Sequence, residues 1–128
     1  MTVLYESKYA RLELDEAQRI VRYVRSAEPF ESVEEAMRTF RQIALLNAGL
    51  DRRNLSLLSD VRLAPGRNDE AFEKVVAAVR DELFGGFHKR AALVRTMAGK
   101  LQVRRLNGSE ALNLFDDEKA ALAFLSEK

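Results

Sequence analysis

Basic side chains follow two of the strands that the sequence predicts, and their chemistry is the binding of anions. Arginine and lysine side chains bind carboxylates and phosphates through charge-assisted hydrogen bonds. Each of the two places also precedes the predicted start of a helix, whose first backbone N–H groups lack partners within the helix and favour an anion. The candidate binding residues are Arg62, Arg67, Asn68, Arg95, Thr96, Lys100 and Arg104.

Acidic residues close to these cations leave a second interpretation open. Asp60, Asp69 and Glu70 are near the first group of cations in the sequence and can pair with its arginines. Ion pairs of that kind would form a solvated network within the protein in place of an anion site. Of the two arrangements, the sequence favours the ion-pair network and leaves the anion site as the alternative.

The charge of the chain is unevenly distributed. Its 21 Lys+Arg and 20 Asp+Glu give a formal net charge of +1. Residues 83–109 carry six of the basic residues and no acidic one, whereas the rest of the chain has 15 basic and 20 acidic residues. A local excess of positive charge attracts acidic partners. A net charge close to zero argues against bulk binding to nucleic acid or to a membrane surface, so no nucleic-acid partner is expected.

No set of residues in the sequence has the spacing of a catalytic or metal-binding motif. The chain has no cysteine and a single histidine, His88, which excludes thiolate chemistry and the usual closed zinc sites. A G-x-S-x-G nucleophile elbow is absent, and neither Pro65-Gly66 nor Gly99-Lys100 matches a phosphate-binding loop. We therefore expect a protein that is not an enzyme and has no cofactor, with His88 in a surface loop.

Length and composition predict one ordered domain over residues 1–128. Hydrophobic residues make up 47% of the chain and charged residues 32%, the balance of an ordinary globular protein. The N-terminus has no basic head followed by an apolar run. Apolar runs elsewhere are far shorter than the roughly 20 residues of a membrane-spanning helix. These features predict a cytoplasmic protein without integral membrane association.

The elements that must position the candidate residues are predicted from hydrophobic periodicity. Residues 9–15 alternate between apolar and polar side chains, as a half-buried strand does. Residues 19–25 are rich in β-branched and aromatic side chains, which favour a second strand and hence a hairpin. A helix is the competing interpretation, because Leu14, Ala17 and Val21 also fit a 3.6-residue period.

A helix over residues 32–47 follows, since Ser32 and Glu35 form a capping box and Gly49 stands where a left-handed C-terminal cap belongs. The segment Met97 to Leu106 fits both a short helix and a strand, and the helix is favoured because a parallel crossover needs one. The remaining predicted elements are a buried strand over 55–61, a helix capped by Asn68 and ended by Gly85-Gly86, a buried strand over 90–95, a strand over 112–115 and a closing helix from Asp116 or Asp117.

The predicted order β-β-α-β-α-β-α-β-α defines an α/β fold. It implies a mostly parallel sheet of four to five strands, with an antiparallel hairpin at the N-terminus and about four covering helices. Ligands of open parallel sheets bind beyond the carboxyl ends of the strands. The candidate residues that follow the two central strands should therefore meet at one edge of the sheet.

This order resembles the STAS domain family, small regulatory modules typified by bacterial anti-sigma-factor antagonists and similar in architecture to Sec14-like lipid-binding domains. The resemblance runs from about Tyr9 to the C-terminus and is carried by the strand that ends at Asp60, the loop and acidic-capped helix after it, and the strand that runs into residues 94–100. Antagonists of this family typically carry a phosphorylatable serine after the third strand. Residues 61–69 contain no hydroxyl side chain, so that switch is not expected here.

The resemblance implies a bacterial regulatory module without enzymatic activity. We predict that it binds a protein partner with an acidic surface through the loops at residues 62–69 and 95–100. The alternatives are a small anionic ligand at the same edge, such as a nucleotide or a lipid head group, and a small enzyme of unknown reaction. The identity of the partner and the oligomeric state do not follow from the sequence.

Overall fold

The six strands of the sheet are hydrogen-bonded to one another in the order in which they occur in the chain. The computed structural model describes residues 1–65, 70–95, 101 and 113–127. The elements are β1 (Thr2–Glu6), β2 (Ala10–Asp15), β3 (Ile20–Arg25), α1 (Val33–Ala48), a 3-10 turn (Arg52–Asn54), β4 (Ser56–Asp60), α2 (Glu70–Phe84), β5 (Arg90–Leu93), β6 (Asn113–Phe115) and α3 (Glu118–Ser126).

The predicted hairpin over residues 9–25 is confirmed. Strands β2 and β3 pair antiparallel, from Ala10 opposite Arg25 to Asp15 opposite Ile20. Arg19 ends the connecting turn with a φ of 57°, a left-handed conformation that allows the tight reversal. The helical alternative fails because alternation puts Leu12 and its same-face neighbours into the core, which a helix would not do.

The sheet has one strand more than the sequence indicated. Strand β1 pairs antiparallel with β2, and its register shifts between Val3 and Tyr5. Because of this irregularity Leu4 and Tyr5 both pack against the same core cluster, so the strand lacks the alternation by which it could be recognised. The prediction of four to five strands is therefore wrong, since the sheet has six. The described residues contain three helices, and the helix predicted within residues 97–106 falls outside them apart from Leu101.

The second half of the sheet is parallel, as predicted. Strands β3 to β4, β4 to β5 and β5 to β6 all pair in parallel. The first four residues of β4 are buried, which explains why this strand reads as a continuous apolar segment. Helices α1 and α2 share one face of the sheet, where Phe40, Ile43 and Val76 join the main core. Helix α3 packs on the other face, where Ala121 and Leu125 meet Leu58.

The helix ends agree with the sequence at some positions and correct it at others. Ser32 caps α1 by accepting a hydrogen bond from the backbone N–H of Glu35, and Asp117 caps α3, both as predicted. The second bond of the predicted capping box is not found, because the carboxylate of Glu35 accepts a hydrogen bond from Nη1 of Arg38 instead. The left-handed cap predicted at Gly49 is wrong, because its φ is −84° and the residue stays right-handed. Among the described glycines, Gly86 has a left-handed conformation, with a φ of 84° two residues after the end of α2.

Candidate functional site

Two of the predicted site residues lie at the edge formed by the carboxyl ends of the parallel strands. Asp60 of β4 stands opposite Leu93 of β5 in the parallel register. Arg62 comes two residues after Asp60, and Arg95 comes two residues after Leu93. Both arginines therefore lie at the same edge of the sheet. Five other predicted site residues lie outside the described part of the chain, namely Arg67, Asn68, Thr96, Lys100 and Arg104.

Arg62 is bound by the carboxylate that ends its own strand. Its Nε donates a hydrogen bond of 2.9 Å to Oδ1 of Asp60, and its Nη2 donates one of 2.7 Å to Oδ2. The backbone N–H of Arg62 also donates to Oδ1, at 3.2 Å. This is a two-point guanidinium–carboxylate pair, which fixes the plane of the guanidinium as well as its position.

A second ion pair connects the pair of Asp60 and Arg62 to helix α3. Nη1 of Arg22 in β3 donates a hydrogen bond of 2.9 Å to Oε1 of Glu118, the first residue of α3. The same Glu118 oxygen lies 3.6 Å from Nη2 of Arg62. Two arginines and two carboxylates thus join β3, β4 and α3. For Arg62, the ion-pair network that the sequence favoured is the arrangement found.

The network favours the charged form of each partner in the central pair. Burial raises the pKa of Asp60, but the hydrogen bonds from Arg62 and the charges of Arg62 and Arg22 outweigh it, so the pKa lies below its usual value. The hydrogen bond to Asp60 raises the pKa of Arg62, and the smaller effect of burial opposes it. The carboxyl group therefore stays ionised at neutral pH and cannot act as a general acid there.

Arg95 differs from Arg62 in its environment. It is exposed, and it makes no ion pair with any residue that the structure describes. It follows Val94, whose side chain is 1% exposed and whose N–H donates to Phe115. The backbone that carries this cation is therefore anchored in the sheet, while its guanidinium faces solvent.

Arg25 is a further cation at this edge, and sequence reasoning did not single it out. It ends β3 with only 6% of its surface exposed. Its guanidinium donates to the backbone carbonyls of Tyr9 and Glu28 and lies 4.3 Å from the ring centre of Phe30. Burial lowers the pKa of Arg25. Its donors are directed at carbonyls, so it ties the hairpin to the following loop and is not presented to a ligand.

The described basic residues of the segment at residues 83–109 do not form one continuous patch. Lys89 and Arg90 stand at the amino end of β5, whereas Arg95 lies beyond its carboxyl end. Nζ of Lys89 donates hydrogen bonds of 3.0 Å to the carbonyl of Phe124 and 2.6 Å to that of Glu127. These carbonyls end α3, where a cation is favourable. Lys89 therefore stabilises the C-terminal end of α3.

Carbonyl groups at the end of α2 also accept hydrogen bonds from basic side chains. Nη1 of Arg52 donates a hydrogen bond of 2.9 Å to the carbonyl of Gly85, and Nη1 of Arg90 donates one of 3.3 Å to the carbonyl of Phe84. Helices that return from one parallel strand to the next end near the amino edge of the sheet. Several basic residues at this edge are therefore explained by helix termini.

A cleft of about 600 Å³ opens at this amino edge, opposite the predicted site. Its walls come from the β2–β3 turn, the segment before β4, His88 before β5, and the C-terminal half of α3. His88 is exposed in a surface loop, as predicted. The sequence contained a usable signal, because polar residues precede three successive parallel strands. Reasoning that placed ligands only beyond the carboxyl ends of strands missed it.

Among the described residues, no three His, Asp or Glu side chains come together in an arrangement that could bind a metal ion. Within the same part of the chain, none of the helices combines the length and hydrophobicity required to span a bilayer. Comparisons of the chain with protein-family models, with curated proteins and with solved structures found no match. The resemblance to the STAS family therefore stays a prediction from the sequence.

Proposed function

We propose that this chain is a STAS-like regulatory module without enzymatic activity, and that it binds an acidic surface of a protein partner at the carboxyl edge of its sheet. The observation that carries the proposal is Arg95. This exposed cation has no ionic partner among the described residues, and it follows a strand whose last residues are buried. A cation on an anchored backbone loses little freedom on binding, so more of its interaction energy contributes to affinity.

Arg62 extends the same surface. Its Nε and one Nη2 hydrogen are used by Asp60, while Nη1 makes no hydrogen bond to the described residues. The side chain of Arg62 is 35% exposed. An arginine that is oriented by one carboxylate and still has free donors can bind a second carboxylate from a partner.

Leu63 favours a protein over a small ion as the occupant of this edge. It directly follows Arg62 and is 55% exposed. An exposed apolar side chain beside arginines suits a protein–protein contact surface, because the core of such a surface is apolar and arginine is enriched there.

The test begins with the identification of the partner by co-purification from the native cell and mass spectrometry. Its affinity for the purified module is then measured by calorimetry for the wild type and for Arg95→Glu and Leu63→Ser. We expect Arg95→Glu to weaken binding by about tenfold or more, because a like charge then faces the acidic surface. Raising the salt concentration should weaken wild-type binding more than it weakens the variant's.

Arg41→Glu is the matched control, because Arg41 is an exposed arginine on α1 without an ion pair to the described residues. It makes the same change of charge on a different element and should leave the affinity for the partner within about twofold of the wild-type value. If Arg95→Glu binds as tightly as Arg41→Glu, the assignment of the surface is wrong. If Leu63→Ser alone has no effect, the contact is purely ionic and the small-anion alternative gains support.

A further inference from the structure

The cleft at the amino edge has the dimensions of a small-molecule site. Its volume of about 600 Å³ lies within the usual range for ligand clefts, roughly 300 to 1,000 Å³. Three short segments of polar residues surround it, each directly before a parallel strand. Strands β3, β4 and β5 are adjacent and parallel. The residues that precede these strands therefore meet at one edge of the sheet, just as the residues that follow them meet at the opposite edge.

One wall of the cleft is apolar and rigid. Ile20 at the start of β3 is 3% exposed, and Leu125 of α3 is 5% exposed. Leu122, one turn earlier on α3, is half-buried and packs against the same cluster. Ile20 and Leu125 are already covered by the fold, so the apolar surface that a ligand could remove from water is the exposed part of Leu122.

The other wall of the cleft carries two arginines and a histidine. Arg19, Arg53 and His88 are exposed and line the cleft. Neither arginine forms an ion pair with any described residue, in contrast to the neighbouring Arg52 and Lys89, which cap the ends of α2 and α3. Since those helix ends are already satisfied, helix capping does not explain Arg19 and Arg53.

Two details define the ligand further. The side chain of Ser56 is buried at the cleft, and its hydroxyl makes no hydrogen bond to the described residues, so it offers one uncharged polar contact. Glu127 also lines the cleft and places one negative charge against the two arginines. With His88 neutral, the net charge of the lining is +1, which matches a monoanion better than a multiply charged phosphate.

We propose that this cleft binds a small amphipathic monocarboxylate, with its aliphatic or aromatic body against the exposed part of Leu122 and its carboxylate between Arg19 and Arg53. The site lies at the opposite edge of the sheet from the proposed protein-binding surface. It therefore does not depend on that function, and either site can fail without the other.

The proposal is tested by titration of the full chain with three probes, followed by calorimetry and by amide chemical shifts. Octanoate has both features, octan-1-ol lacks the charge, and acetate lacks the apolar body. We expect octanoate to bind with shifts confined to residues 17–20, 53–56, 88 and 122–127. Octan-1-ol and acetate should each bind about tenfold more weakly or not at all, because each loses one of the two contributions.

Two variants remove the cations without disturbing the fold. Arg19→Gly removes a side chain where the φ of 57° suits glycine, and Arg53→Gln neutralises an exposed residue of the 3-10 turn. Each should weaken octanoate binding about tenfold, while Arg41→Gln on α1 leaves it unchanged. The proposal is overturned if octanoate does not bind at millimolar concentrations. Equal binding of octan-1-ol, or equal binding by the arginine variants, overturns it as well.

Discussion

The pair between Asp60 and Arg62 should contribute measurable stability, and a double-mutant cycle can isolate that contribution. The two substitutions are Asp60→Asn, which keeps the shape of the side chain, and Arg62→Met, which keeps its apolar stem. Unfolding in urea gives the free energy of unfolding for the wild type, both single variants and the double variant. The coupling energy is the part of the effect that requires both partners.

The magnitude follows from geometry and exposure. Hydrogen bonds to charged groups contribute about 1.5 to 3 kcal/mol when buried, whereas exposed ion pairs contribute about 0 to 1 kcal/mol. The side chain of Asp60 is 13% exposed and that of Arg62 is 35% exposed, so solvent screens the pair in part. Two direct hydrogen bonds of good length place the expected coupling between these limits, at about 1 to 2 kcal/mol.

The coupling should depend on pH in a defined direction. The pKa of Asp60 is lowered below its ordinary value of 3.8 in the folded protein. Its contribution is therefore complete above that value and is lost as the pH falls through the lower, folded pKa. The coupling should be constant from about pH 6 to 8 and should decline below about pH 4.

The exposed pair of Lys8 and Glu31 provides the control cycle. Their side chains are 53% and 66% exposed, and Lys8→Met with Glu31→Gln should show much weaker coupling than the buried pair. A coupling of less than about 0.3 kcal/mol between Asp60 and Arg62, which is the usual error of additivity, would contradict this prediction. A coupling that persists unchanged at low pH would contradict it as well.

Two further predictions concern the helix ends at the amino edge. Lys89→Met removes the cation that binds the carbonyl of Phe124 and should lower the free energy of unfolding in urea by about 1 kcal/mol; no change would show that the cap is dispensable. Gly86→Ala places an alanine at a φ of 84° and puts its Cβ only 3.2 Å from Cζ of Arg52. The resulting strain should lower the free energy of unfolding by about 1 to 2 kcal/mol in the same assay. Gly49→Ala, at φ −84°, is the matched control and should be neutral within about 0.5 kcal/mol.

The predictions that succeeded depend on neighbours in the sequence. Ser32 caps α1 and Asp117 caps α3 because the bonds involved span two or three residues. The alternation of residues 9–15 follows from the period of two along a strand, and the continuous apolar segment of β4 is typical of a strand buried on both faces. The predictions that failed depend on backbone geometry, since the irregularity in β1 and the right-handed Gly49 leave no trace in residue type.

The candidate site likewise has properties that could be predicted from the sequence and others that could not. Its location at one sheet edge could be derived for Arg62 and Arg95, because parallel strands align their ends. The amino acid types also established that cations follow both strands. They could not establish which cation is engaged: Arg62 meets a carboxylate two residues away, but the second ion pair comes from Arg22 and Glu118, which are 96 residues apart.

By itself, the sequence determined an α/β chain with a hairpin, a central buried strand, capped helices and an uneven distribution of charge. Those properties are local, because they arise from periodicity, capping and composition. Only the tertiary structure decided how the basic segment is divided, since a strand of four residues sends Lys89 to one edge and Arg95 to the other. It also decided that Arg19 and Arg53, which have no ion pair within the described part of the chain, meet apolar residues of α3 at the amino edge, because α3 packs across the sheet.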